Sequence, residues 1–137
     1  MKYTDKELCA LAIEGMSRSY SPYSGCKVGA ALLARSGKVY LGCNVENAAY
    51  SPTICAERVA FMKAVSEGER EFDAIAIVGG VNGEIKGIFP PCGVCRQVMA
   101  EFCNPDDFRI LMVKGPDTYE SVTLGELLPY GFDKSKL

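Results

Sequence analysis

Two short segments carry the most reactive side chains of this chain: Pro90-Pro91-Cys92-Gly93-Val94-Cys95 and Cys55-Ala56-Glu57. Cysteines three residues apart at a helix start present both sulfurs to one side. The free N–H groups and dipole of the helix N-terminus then favour the thiolate. Such a pair alone is open to three readings: a redox dithiol, half of a zinc site, or coincidence. Cys55 narrows them, because it also falls in the first turn of an expected helix. Where two such helix starts converge, three thiolates meet. Three protein ligands leave the fourth position of tetrahedral Zn²⁺ open for water, the catalytic pattern rather than the closed structural one. Glu57, two residues past Cys55, lies near such a metal without ligating it and can shuttle protons. Three thiolates and Zn²⁺ are net negative. Arg58 and Arg96, which directly follow Glu57 and Cys95, can offset that charge by donating hydrogen bonds to sulfur.

The remaining composition bounds the setting. No His is present, which excludes Ser-His-Asp triads, Cys-His dyads and imidazole ligands. Seven cysteines fit a disulfide framework poorly, and the polar start Met1-Lys2-Tyr3-Thr4-Asp5-Lys6-Glu7 shows no signal peptide. A reducing, cytoplasmic location is expected. Cys9, Cys43 and Cys103 read as small buried residues, with Cys43 or Cys103 the candidate for a fourth, structural ligand. No apolar run approaches the ~18 residues of a membrane span. A net charge of −2 leaves no basic footprint for nucleic acid or an anionic membrane.

The elements that must position these residues follow from periodicity and punctuation. Thr4-x-x-Glu7 is a capping box opening a first helix, with Leu8, Leu11, Ala12 and Gly15 at helical spacing. Residues 27–34 and 38–45 are strands joined by the turn Arg35-Ser36-Gly37. A second helix spans about 53–67, stopped by Gly68, and its stripe Ala56, Ala60, Ala64 suits close packing against another helix or against a sheet. A buried strand at 73–78, a helix at 92–102, a strand at 108–113 and a second capping box, Thr123-x-x-Glu126, complete the order α-β-β-α-β-α-β-α. One domain over 1–137 is expected, with a mixed sheet covered by helices on both faces.

The motif residues resemble the zinc-dependent cytidine deaminase superfamily. Tyr20-Ser21-Pro22-Tyr23-Ser24, Val28-Gly29-Ala30-Ala31-Leu32, Asn44-Val45-Glu46-Asn47-Ala48-Ala49-Tyr50 and Leu127-Leu128-Pro129 with Phe132 extend the likeness over nearly the whole chain. The resemblance is to the short, homotetrameric class with three Cys ligands. It implies a three-layer α/β/α fold with one mixed sheet of about five strands. It also implies hydrolytic deamination of cytidine and deoxycytidine to the uridines plus ammonia, in pyrimidine salvage. Carried onto this chain, it makes Cys55, Cys92 and Cys95 the ligands of one Zn²⁺ per subunit. Glu57 becomes the residue that takes a proton from the metal's water and delivers it to N3, and that protonates the leaving amino group after hydroxide has added at C4. The backbone near Ala56 would face the base carbonyl, and Asn44 and Glu46, with Val45 between them, would meet the ribose. Tyr50 and Phe132 would come from neighbouring subunits. One departure stands out: Cys26 occupies a position where relatives usually carry an aromatic residue that walls the pocket.

Other readings keep parts of this pattern. A modified cytosine nucleoside, as in blasticidin-S deaminases, would use the same zinc motif, whereas Asn44-x-Glu46-Asn47 favours an ordinary nucleoside. A nucleotide substrate lacks a Gly-rich or basic phosphate site. A non-catalytic zinc module predicts a fourth protein ligand and a dispensable Glu57. Nucleic-acid editing would want a basic or aromatic groove, for which Lys134 and Lys136 are slight support.

Overall fold

A computed structural model describes residues 3–137, so Met1 and Lys2 of the polar start lie outside the described residues. Five strands form one sheet: β1 (Cys26–Ala34), β2 (Val39–Cys43), β3 (Phe72–Val81), β4 (Arg109–Gly115) and β5 (Thr118–Thr123). Their order is β2-β1-β3-β4-β5, with β3 and β4 parallel and every other neighbour antiparallel. The period-2 alternation of the central strands buries both faces. Val28, Ala30, Leu32, Ile75, Ile77, Ile110 and Met112 enter one core, while Ala31, Ala74, Ala76, Val78, Leu111 and Val113 enter the other. The expected order missed β5, a short and largely exposed edge strand whose residues offer little apolar signal.

Helix α1 (Asp5–Met16) covers one face. Thr4 and Glu7 cap it reciprocally, and Leu8, Ala12 and Met16 bury its apolar stripe. It approaches β1 so closely that a Cβ on Gly29 would sit 2.1 Å from the Ala12 carbonyl oxygen. Helices α2 (Ala56–Ser66) and α3 (Gly93–Phe102) cover the other face. Ala56, Ala60 and Ala64 are fully buried in the core that α2 shares with β1, which settles the small-residue stripe as sheet-facing. At Gly42 the approach of α2 is equally close: an added Cβ would meet the Ala56 carbonyl oxygen at 2.2 Å. The second capping box, Thr123 with Glu126, starts the short α4 (Leu124–Leu127). Among the described residues, no helix is long and apolar enough to cross a membrane.

Candidate functional site

Cys55 and Cys92 are both N-caps rather than first-turn residues. Each has extended backbone and no side-chain capping bond, so each sulfur is free to turn from the helix end toward the other. Cys95, in the first turn of α3, is fully buried. The Cys55 and Cys92 sulfurs lie 3.7 Å apart, and those of Cys92 and Cys95 3.5 Å apart. All three sit within 4.8 Å of one another. Tetrahedral zinc with ~2.3 Å bonds to sulfur holds its thiolates about 3.8 Å apart, so the cluster fits that ion without rearrangement. Among the described residues the cluster has no fourth protein donor, which disfavours a closed structural site. Cys43 instead donates to the Arg18 carbonyl, and Cys103 is a buried cap of α3. All seven cysteines are free thiols.

The electrostatics of the cluster are strongly skewed. Cys55 is pushed down to about 5, first by the hydrogen bond from Cys95 and then by Arg58. Cys95 is pushed up as the donor in that same pair. The Arg58 Nη2 donates to the Cys55 sulfur at 3.4 Å, and its guanidinium is held more firmly protonated by the thiols it meets. Glu57, the second residue of α2, is only 4% exposed, and its Oε1 has no hydrogen-bond partner. Burial raises its carboxyl to about 7. A free carboxyl oxygen with that proton affinity, beside three thiols, is suited to general acid–base work near neutral pH.

Arg96 departs from its expected place. Its guanidinium donates not to a sulfur but to the backbone carbonyls of Pro91 at 2.8 Å and Leu127 at 2.7 Å. Carbonyl oxygens are better acceptors than sulfur, and both lie within hydrogen-bond distance of the guanidinium.

A cavity of about 240 Å³ opens between the loop before β1 and the segment between β2 and α2, lined by Tyr23, Ser24, Glu46, Tyr50 and Thr53. Glu46 accepts from the backbone N–H groups of Tyr23 at 3.0 Å and Ser24 at 3.1 Å, and from the Ser24 hydroxyl. Those bonds, the Ser24 hydroxyl foremost, hold its carboxyl below the usual range, so it is ionised at neutral pH. Asn44 is buried, and its side chain is largely committed within the chain. Its Oδ1 accepts from Val28 N–H at 2.9 Å and from the Ser19 hydroxyl, and its Nδ2 donates to the Cys26 carbonyl at 2.9 Å. Val45 exchanges both backbone bonds with Ile54, which ties the pocket segment to the chain entering Cys55. Ala56, first residue of α2, is fully buried. Tyr50 adopts a left-handed φ of 47° and is 72% exposed, with its ring edge-on to Tyr23 at 6.4 Å. Phe132 is also exposed. Tyr23, Ser24 and Thr53 are cavity residues to which the sequence reading gave no site role, although Tyr23 and Ser24 lie in the turn-rich segment that carries part of the family resemblance.

Comparison with known proteins adds to this geometry. A family model described as the cytidine and deoxycytidylate deaminase zinc-binding region matches residues 2–111. A cytidine deaminase of Sporosarcina psychrophila is 46% identical over 132 residues, covering 96% of this chain and 93% of the relative. One from Halalkalibacterium halodurans is 47% identical over 121 residues, covering 88% of each chain. Among solved structures, the cytidine deaminase of Burkholderia pseudomallei superposes with a TM-score of 0.87 at 42% identity, covering 95% of this chain and 100% of that one.

Proposed function

Because this chain belongs to the cytidine and deoxycytidylate deaminase family, we propose that it hydrolyses cytidine and deoxycytidine to uridine and deoxyuridine with release of ammonia, as a step of pyrimidine salvage. It is a zinc-dependent hydrolase of the deaminase superfamily. The observation that carries the reading is one buried carboxyl with a free oxygen beside three thiols at zinc-binding separations. Cys55, Cys92 and Cys95 would hold one Zn²⁺ per subunit; when bound, it supplies a Lewis acid that turns water into a nucleophile near neutral pH.

The chain's own residues do the rest. Glu57 takes a proton from the attacking water and delivers it to N3 of the base; it then takes the proton of the hydroxyl added at C4 and passes it to the amino group, which leaves as ammonia as the C4 carbonyl forms. A carboxyl held near 7 can run both directions of that transfer. Arg58 donates to the Cys55 sulfur and moderates the negative charge of the ligand set. The Ala56 N–H, at a helix start where no intrahelical acceptor exists, faces the base carbonyl. Glu46, with Val45 and Asn44 beneath it, receives the ribose hydroxyls. Its ionised carboxylate lines the cavity, which supports this role.

Tyr50 and Phe132 are exposed in a single chain, and large exposed aromatic residues favour a role across a subunit contact. A homotetramer whose neighbours complete each pocket is the assembly we propose. Seven free thiols favour a reducing compartment, the cytoplasm. The mild acidity of the chain favours a small nucleoside over nucleic acid as partner.

The deciding experiment follows the ultraviolet change on cytidine turnover by wild type and Glu57→Gln, with the zinc content of both measured. Wild-type conversion that falls about 10²–10⁴-fold in the variant at equal zinc is expected. A folded, zinc-loaded wild type that leaves cytidine untouched would overturn the proposal.

A further inference from the structure

Cys92 is the most weakly anchored member of the thiol cluster. It is the exposed one, it caps α3 without a side-chain bond, and it follows Pro90-Pro91, which have no N–H groups to fix the approaching backbone. What holds it is Arg96. The Arg96 backbone N–H donates to the Cys92 carbonyl at 3.0 Å, and its Nε donates to the Pro91 carbonyl at 2.8 Å. The peptide groups on both sides of the Cys92 Cα therefore end on one residue.

The same guanidinium reaches further. Its Nη1 donates to the Leu127 carbonyl at the end of α4, 2.7 Å away, and the adjacent Gln97 donates from Nε2 to the Phe132 carbonyl at 2.8 Å. From Leu128 to Phe132, the backbone otherwise makes one bond among the described residues, Leu128 N–H to the Leu124 carbonyl, and Tyr130 sits there at a left-handed φ of 55°. Besides the packing of Leu128 on the core, two neighbouring side chains of α3 thus hydrogen-bond the C-terminal segment, and one of them also grips the loop before Cys92. A planar guanidinium with donors in a fixed fork can satisfy two carbonyls at once only while both stay in place.

We propose that Arg96 is a positioning residue for Cys92: braced on the Leu127 carbonyl, it fixes the Pro91–Cys92 peptide and so the direction of the Cys92 sulfur. The C-terminal segment thereby acts on the thiol cluster through Arg96. The proposal rests on the reading that Cys55, Cys92 and Cys95 hold zinc.

The test compares full-length wild type, Arg96→Ala and Arg96→Lys by two measurements. One is the rate of zinc release to the chelator 4-(2-pyridylazo)resorcinol, and the other is the ligand-field absorption of the Co²⁺-substituted proteins. Zinc release about ten-fold faster in Arg96→Ala, with shifted cobalt bands, is expected. Arg96→Lys should fall between, because an ammonium on a flexible stem does not reproduce the two-carbonyl fork. A merely structural Arg96 would lower the unfolding midpoint and leave release rate and cobalt bands of the folded protein unchanged, and that result overturns the proposal. Should Arg96→Ala not fold, wild-type values for Arg96→Lys overturn it equally. A wild type that fails to retain stoichiometric zinc would bring down the three-thiol reading itself, an outcome distinct from unchanged variants of a zinc-loaded wild type.

Discussion

Gly42→Ala places one methyl group where α2 meets the sheet, thirteen positions before Cys55, and should disable the enzyme from there. The added Cβ would lie 2.2 Å from the Ala56 carbonyl oxygen, 2.8 Å from the Ala60 nitrogen and 3.1 Å from the Ala60 Cβ. A carbon–oxygen contact relaxes to about 3.3 Å, so the first turn of α2 must retreat by about 1 Å. Backbone atoms cannot step aside as the tip of a flexible side chain would. That turn begins Ala56-Glu57-Arg58 and is capped by Cys55, so the proposed metal ligand and the proposed proton shuttle move together. A misplacement of about 1 Å costs on the order of 10²-fold in rate, or about 2.7 kcal/mol of barrier. Overpacking should separately remove about 1–3 kcal/mol of stability. Gly29→Ala is the matched control. Its Cβ would meet the Ala12 carbonyl oxygen at 2.1 Å and the Met16 nitrogen at 2.4 Å, an equal clash with α1 on the opposite face of the sheet. Steady-state kcat on cytidine, corrected for folded fraction, should fall about 100-fold in Gly42→Ala and stay near wild type in Gly29→Ala, while urea unfolding shows both destabilised. The reasoning fails if Gly42→Ala keeps kcat within a few-fold of wild type, or if Gly29→Ala loses as much.

Two further outcomes are expected. Glu46→Ala removes three hydrogen bonds to Tyr23 and Ser24 as well as the anionic wall of the cavity, so KM for cytidine should rise at least about ten-fold with a smaller change in kcat, and the loop at 21–25 should be cut faster by limited proteolysis. Stability should decline in alkali. Burial raises the Cys103 thiol from 9.0 to about 12, and burial with the nearby Asp5 charge raises Cys9 from 9.0 to about 11. Below pH 9 both folded and unfolded states keep these protons; above it the unfolded state gives them up while the folded state holds them, so unfolding grows easier up to pH 11–12. Urea midpoints measured from pH 7.5 to 11 should fall above 9, and Cys103→Ala should flatten part of that slope.

What could be read along the chain was whatever depends on neighbours within one turn or one pleat. The capping boxes at Thr4 and Thr123, the turn at Gly37 and the apolar strand segments of β1, β3 and β4 are local relations, and each element formed where its residues required. Local relations also located both cysteine segments at helix starts, though the expected helices begin at about 53 and 92, three positions and one position before the observed starts at Ala56 and Gly93. β5 escaped because Thr118–Thr123 is an edge strand made by pairing with β4, and an exposed edge needs little apolar pattern of its own.

The distances that make chemistry were decided only by the fold. Cys55 and Cys92 stand 37 positions apart, and nothing in their spacing brings the sulfurs to 3.7 Å; the packing of α2 and α3 on one face of the sheet does so. Close approach at Gly42 sets how deep the first turn of α2 sits, and thus the burial that raises the Glu57 carboxyl. Arg96 is the plainest case. By sequence it adjoins Cys95 and has the charge to serve a thiolate, yet its partners are the Pro91 and Leu127 carbonyls. A side chain's residue type specifies what it can bond, and that much is written in the sequence. Which acceptor lies within reach is a property of packed elements, and the Leu127 carbonyl, 31 positions away, comes within reach only after α4 folds back against α3.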